Sequence, residues 1–437
     1  MAMLRPASEM KDSGIEWVGQ VPSNWKVVKN NRLFRITKTL VDEAWETTQL
    51  LSLTKGGIIE KDINDGSGKQ PESFSTYQFV EKDDIVLCLF DIDVSAVFSD
   101  RSSFNGMISP AYRVMKCEKN ILPVYAKWWF DAVNVGRYYL IYTKSLRKTI
   151  DSEGFGNILT AIPPLEEQQA IADYLDDRCS KIDEIIAEAT ASIEEYTLYK
   201  QAIIAEVTTK GLDRNAPMMN TPYIWMGDIP CHWGLKPFRY ILNERNEKNN
   251  PVKSEERLSL SIDKGVTLYA DKTTNLDRFK DDFTAYKLAY EGDLVMNCMN
   301  MIVGASGVSK YFGCVSPVYY TYYDNEPDHI TAKYCEYLFR SRMLMRVLHS
   351  LGRGILSFDR GEDRVNTCRL KISRNDLRSL VLPVPPLNEQ REIVDYLTRY
   401  DKRIDALISE KQALIDDLQA YKKSLIYEVV TGKRRVV

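Results

Sequence analysis

The chain writes one long passage twice. IPPLEEQQAIADYL, from Ile162, returns as VPPLNEQREIVDYL from Val384, and residues 163–209 match 385–431 at 21 of 47 positions without a gap. A repeat of this length governs the architecture before any local reading does. In each copy the Pro-Pro pair forces extended backbone and then suits a first helical turn. Glu166-Glu167 in one copy and Asn388-Glu389 in the other favour the positive end of a helix. Downstream, apolar residues recur at alternating steps of four and three: Leu175, Cys179, Ile182, Ile186, Ala189, Ile193, Tyr196, then Ile203 and Val207. The second copy offers Leu397, Ile404, Ile408, Ile415, Leu418, Leu425 and Val429, interrupted by Asp401, Lys411 and Lys422. Neither Gly nor Pro intervenes before Gly211 and Gly432. The spacing predicts two helices of about 42 residues, each a rod of roughly 60 Å. A stripe of this kind either faces a core or pairs the two rods; its retention in both copies favours pairing.

The duplication extends upstream. Trp17, Gly19, Pro22 and Trp25 align with Trp225, Gly227, Pro230 and Trp233. LSLTKGG at Leu51 aligns with LSIDKGV at Leu260, KDDIVLC at Lys82 with EGDLVMN at Glu291, and SPAY at Ser109 with SPVY at Ser316. These pieces are β-rich, and helices are expected near residues 124–133 and 331–348. The fold class is therefore α+β: two mixed α/β globules alternate with two long helices that pair as an antiparallel coiled coil. The expected boundaries are 1–160, 161–212, 213–382 and 383–437. Identity is high in the helices and at the tryptophan-bearing entrances, and low across most of each globule. One frame carries two different surfaces.

Composition narrows the function by exclusion. At 437 residues, 44% hydrophobic and 27% charged, the chain is long enough for two or three domains of an ordinary globular protein. No apolar run approaches the ~18 residues of a membrane helix, and MAMLRPASEMKDSG has no signal-peptide core, so no membrane association is expected. Eight scattered cysteines without a CxxC pair, and only three histidines, suit reduced thiols in a cytoplasm and argue against a zinc site or disulfide frame. P-loop, HExxH and GxSxG motifs are missing, as is the Asn/Asp-Pro-Pro-aromatic motif of amino-methylating DNA enzymes. Gly352-Arg353-Gly354 is a lone GxG in a basic loop. No catalytic or metal-binding residues are expected.

Charge supplies the positive signal. The net −3 conceals a segregation: residues 162–212 hold eleven acids and four bases, residues 340–382 ten bases and four acids. A basic stretch precedes each predicted rod, the first running GRYYLIYTKSLRKTI from Gly136. Arginine offers bidentate donors to phosphates and guanine edges, and lysine a point charge. The candidate DNA contacts are Lys55, Lys144, Arg147, Lys148, Lys264, Arg353, Arg360, Arg364, Arg369 and Lys371. A plain solvated face is the alternative. Two like units in one chain imitate a two-fold dimer, and dimeric readers engage half-sites about 34–36 Å apart per DNA turn. Because the globules differ, a bipartite, asymmetric double-stranded DNA target is expected.

The twin GxxPxxW entrances, the twin PPLxEQ openings, the two rods and the two dissimilar globules together resemble the specificity (S) subunit of type I restriction-modification systems, over essentially the whole chain. The resemblance implies that each globule is a target recognition domain for half of a split DNA sequence. It implies that the paired helices act as a spacer and as a docking surface for two modification (methyltransferase) subunits, with Leu175, Ile182, Ile186, Ile193, Ile203, Leu397, Ile404, Ile408, Ile415 and Leu425 in the coiled coil. Restriction (translocase and nuclease) subunits would join that core. S-adenosylmethionine, ATP and magnesium would belong to the partners, with no cofactor in this chain. A coiled-coil scaffold that binds only protein, an unseen methyltransferase or nuclease site, and a recognition subunit of a methylation-only system are the competing readings.

Overall fold

The computed structural model describes residues 3–63, 73–94, 98–143, 147–262, 264–271, 282–355 and 369–436. Its contacts divide into two units, residues 1–190 with 412–437, and residues 191–411. The division falls inside both long helices, Leu165–Lys210 and Leu387–Val430. Each unit therefore owns one globule and a segment of each helix.

In the first unit the entrance is a bulged hairpin, Met10–Ile15 against Gly19–Pro22, which delivers Trp25. The next strand, Lys26–Lys29, pairs antiparallel with Leu159–Ile162, the strand that runs straight into PPLEEQ. Sequence ends that lie far apart are thus sewn together at the root of the helix. The second unit repeats the stitch with Met218–Asn220 on Asp228–Pro230, then Gly234–Pro237 on Val381–Val384.

The globules share a topology that their sequences conceal. In the first, an antiparallel sheet runs in spatial order Ser99–Arg101, Ile85–Leu87, Arg113–Cys117, Phe34–Thr37. In the second, the order is Ser306–Val308, Leu294–Asn297, Tyr319–Tyr323, Asn243–Arg245. A second layer in the first globule joins Gly57–Lys61, Leu50–Thr54, Gly106–Ile108 and Gln78–Val80, with the Met107–Leu50 contact parallel. The second globule keeps the corresponding parallel contact, Cys314 with Arg257, but only as an isolated bridge.

Helix Pro123–Gly136 begins with proline in its first turn and buries Tyr125, Trp129 and Phe130. Its counterpart in the second unit is not the single helix expected over 331–348. Two helices, Ile330–Arg340 and Arg342–Leu351, meet at Ser341, whose extended backbone (φ −72°, ψ 136°) ends one and caps the other. The Ser341 hydroxyl accepts from Leu344 N–H, an N-cap arrangement that competes with continuing the helix.

The long helices have 46 and 44 residues, or roughly 65–70 Å at a helical rise of about 1.5 Å per residue. Within each unit their segments pack antiparallel. In the first, Ile171, Leu175, Cys179 and Ile182 share one core with Leu425, Ile426, Val429 and with the globule's Trp25 and Trp129. In the second, Ile204 and Val207 share a core with Ile393, Val394, Leu397 and the globule's Trp233 and Tyr334. Of the seam residues, Leu175, Ile182, Leu397, Ile404, Ile415 and Leu425 are buried. Ile186, Ile193, Ile203 and Ile408 are half-buried, and Ile204 is more deeply enclosed than Ile203.

Two of the three polar residues that break the seam's pattern, Asp401 and Lys422, are paired across it. Lys200 Nζ lies 2.8 Å from Asp405 and 3.6 Å from Asp401, and Lys422 Nζ lies 2.6 Å from Asp183. The repeat's shift of 222 carries Lys200 onto Lys422 and Asp183 onto Asp405, so the two ion pairs are the same contact made twice.

Candidate nucleic-acid interface

The candidate cations fall on protruding backbone. Lys55 occupies the two-residue turn between Leu50–Thr54 and Gly57–Lys61 and is exposed. Lys264 is exposed at the end of the longer turn between Leu258–Ser261 and Gly265–Leu268, where its N–H donates to Ser261 Oγ at 3.1 Å. Matched lysines thus crown matched hairpins, although one turn is a residue longer.

Arg147 and Lys148 are exposed, and their backbone is fixed. Asp91 N–H donates to the Arg147 carbonyl (3.0 Å) and Ile92 N–H to that of Lys148 (3.3 Å). Arg137, in the same basic stretch, is instead structural: its guanidinium donates to the Ile92 carbonyl at 2.6 Å. Lys144, Arg360 and Arg364 lie outside the described residues.

In the second unit, Arg353–Ile355 pairs antiparallel with Arg369–Lys371. Arg353 stands directly opposite Lys371, both exposed, and the Arg369 backbone is opposite Ile355. Like charges facing each other across a ladder repel. Neither Arg353 nor Lys371 has an ion pair among the described residues. The ribbon's root is fixed: Ile372 is fully buried, its N–H donates to Cys298, and its carbonyl accepts from the Tyr320 hydroxyl at 3.0 Å. Nearby Arg374 is held by Glu244 at 3.3 Å and lies over the Tyr320 ring. A rigid root presenting uncompensated cations suits a polyanion's backbone.

Burial shifts many of the ionisable groups. Desolvation lowers the pKa of Lys287, which is only 6% exposed and donates to the Tyr319 carbonyl; repulsion from Arg374 adds to the effect. Desolvation raises Asp401, opposed by Lys200. Cys117 is pushed up to about 12 and Cys179 to about 11, chiefly by burial, so both stay neutral thiols. Among the described residues no cluster of three or more His, Cys, Asp or Glu side chains has metal-binding geometry. No helix there is long and apolar enough to cross a membrane.

Sequence reasoning missed the two tyrosines that join each globule to its helices, and it singled out Trp25, Glu167, Trp233 and Glu389 without pairing them. Tyr125 Oη lies 2.9 Å from the Ala161 carbonyl and 3.3 Å from that of Val430. Tyr334 Oη lies 2.9 Å from Thr208 and 3.1 Å from Pro383. The shift of 222 maps Ala161 onto Pro383 and Thr208 onto Val430, so each tyrosine ties the strand before one long helix to the C-terminal end of the other. Trp25 Nε1 donates to Glu167 (3.1 Å) and Trp233 Nε1 to Glu389 (2.9 Å). The signal was present as YAKWWF against YCEYLF, too short to stand out.

Comparison with known proteins agrees with this frame. Residues 320–416 match the family model described as the type I restriction modification DNA specificity domain. The MjaVIII type I restriction enzyme specificity subunit of Methanocaldococcus jannaschii is 21% identical over 449 aligned positions, which cover 95% of this chain and 94% of that protein. A chain solved in work on complex assembly and conformational transition of the type I R-M system superposes with a TM-score of 0.65 at 14% identity. That match covers 94% of this chain and 99% of the other, and establishes the shared fold. The duplicated frame, the family model over residues 320–416 and the near full-length relative point the same way: the chain is similar to the specificity subunits of type I restriction-modification systems.

Proposed function

We propose that this non-catalytic subunit recognises a bipartite, asymmetric DNA sequence and directs adenine methylation or restriction by partner subunits. The observation that carries the reading is the pair of globules with one sheet order and one helix attachment but dissimilar exposed loops. Each globule reads one half-site, with the Lys55 hairpin and the Arg147-Lys148 loop on one and the Lys264 hairpin and the Arg353–Lys371 ribbon on the other. The duplicated long helices set the spacer between half-sites and receive two modification subunits, whose S-adenosylmethionine supplies the methyl group. Restriction subunits bring ATP- and magnesium-dependent translocation and cleavage. The assembly acts in the cytoplasm, where the cysteines stay reduced.

Methylated-base sequencing tests this directly. Cells carrying the chain with its neighbouring modification subunit are compared with cells lacking only this chain. A split adenine-methylated motif that depends on the chain is the expected result. An unchanged methylome, in a complex shown to assemble, overturns the reading.

A further inference from the structure

The second unit contains a cleft of about 380 Å³, lined by Lys264, Lys310, Lys333, His329, Glu291 and Glu336, with Thr398 of the second long helix at its edge. Among the described residues, none of the three ammonium groups has a hydrogen bond or ion pair. The floor is Gly292, at φ +85°, beneath the His329 ring: a Cβ there would lie 2.2 Å from it. Only glycine fits that position.

The first unit has the same corner with its charges differently placed, each engaged cation there lying against a carboxylate: Arg101 bonds Asp83 at 3.2 Å. There Lys127 is bonded to Asp131 at 2.7 Å, Trp128 Nε1 donates to Asp176 at 2.9 Å, and Ile58 N–H donates to Asp100 at 2.8 Å. Asp83 completes the set at the position of Gly292. The shared strand and helix registers turn Asp100 into Gly307, Asp131 into Arg340 and Asp176 into Thr398 in the second unit. Four carboxylates are therefore absent from the second corner. Ser103 and Val124 are replaced by Lys310 and Lys333, while three bases of the first corner are lost: Lys82 becomes Glu291, Arg101 becomes Val308 and Lys127 becomes Glu336. Equivalent anchors confirm the register: Ser102 Oγ donates to the Phe104 carbonyl (2.7 Å) as Ser309 Oγ does to that of Tyr311 (2.8 Å).

The carboxylate of Glu336 is already engaged, accepting from Val308 N–H at 3.2 Å with Arg340 at 3.7 Å. Smaller Tyr337 replaces Trp128 and bonds Thr398 at 3.1 Å, leaving the space open. What remains is a concave site with three uncommitted lysines converging on it.

We infer that this cleft binds a phosphate group, through Lys264, Lys310 and Lys333, in the second unit alone. Compact ammonium groups around a concavity suit a multiply charged phosphate, whose charge they neutralise without needing a planar fork. Two sources share that chemistry, a phosphodiester of bound DNA and a free phosphorylated small molecule. The first rests on the DNA reading above; the second does not.

The test uses the full chain and its Lys310→Ala/Lys333→Ala variant, with folding checked by circular dichroism. Inorganic tripolyphosphate is titrated calorimetrically into each, and affinity for a target duplex is measured across a salt series. If tripolyphosphate binds the parent one-to-one and the variant at least tenfold more weakly, the site stands. Unchanged duplex affinity then assigns it to a small phosphorylated ligand. If instead the variant loses duplex affinity and its salt slope falls by about two, the phosphate belongs to DNA. Binding of tripolyphosphate without any duplex binding would remove the DNA reading and keep the site. Equal tripolyphosphate affinity and equal duplex salt slopes in both proteins overturn the inference.

Discussion

Tyr334 places its buried hydroxyl 2.9 Å from the carbonyl of Thr208, 126 residues earlier, at the last turn of the first long helix. Tyr125 does the same for Val430 in the other unit at 3.3 Å. A helix ends with carbonyls that lack intrahelical partners. Here a globule supplies the donor, and the same hydroxyl also reaches the strand that starts the other helix. Each globule is thereby locked to its two helix segments at a single buried atom.

Replacing Tyr334 with Phe removes that donor and leaves two buried carbonyls short of a partner. The expected loss is about 1–3 kcal/mol, confined to the second unit. Hydrogen exchange should quicken at residues 204–211 and 381–384 and stay unchanged at 159–162. Faster exchange in both units, or in neither, contradicts the assignment.

The matched ion pairs differ in what lies beneath them. Lys200 serves Asp405 at the surface and also Asp401, whose side chain is 13% exposed. Lys422 serves Asp183, while Cys179 stands where Asp401 does in the other copy. Lys200→Ala strands a poorly hydrated carboxylate and should cost roughly 1–3 kcal/mol, below the range for a fully buried pair. Lys422→Ala should cost about 0.5 kcal/mol, as surface pairs do. Urea unfolding of the two variants measures the difference; equal losses would remove the distinction between the copies.

Asp401 also gives a pH signature. Burial holds its pKa above the ordinary 3.8, with Lys200 opposing. The native state therefore binds more protons than the unfolded one between 3.8 and the raised value, and stability falls as pH rises through that window. Asp401→Leu, which restores an apolar residue like Cys179, should match the parent below pH ~4 and exceed it at neutrality by about 1 kcal/mol. Melting temperatures across pH 3.5–7.5 report it. An advantage that is largest in acid would reverse the sign and refute the account.

These residues mark where the sequence was legible and where it was not. The long helices could be read because the repeat copied their start signals and spacing nearly intact. The seam's ion pairs looked like interruptions, since pairing across 205 or 239 residues becomes visible only when the antiparallel register is known. Arg137 looked like a free cation because nothing local announces the Ile92 carbonyl. Ser341 breaks the expected helix by capping, which outweighs an otherwise continuous apolar pattern. The common sheet order of the globules was hidden because strands of three to five residues diverge freely when only their alternation is constrained. The lysine-lined corner was hidden for the same reason, as its residues meet from three separate elements.

The Arg353–Lys371 pair should separate stability from binding. The two cations oppose each other directly across a two-stranded ribbon, with no counter-charge among the described residues. Lys371→Ala should therefore stabilise the folded chain slightly, by about 0.2–1 kcal/mol, through relief of cross-strand repulsion. If Lys371 contacts phosphate as proposed, the same change should weaken duplex binding and shrink the slope of log K against log salt by about 0.9. A purely structural role predicts loss of stability with unchanged salt dependence. A base-reading role predicts an altered sequence preference at one half-site, which methylated-base sequencing of the variant detects. Only the combination of higher melting temperature, weaker binding, shallower salt slope and unchanged motif fits a residue that holds the DNA backbone while its neighbours read the bases.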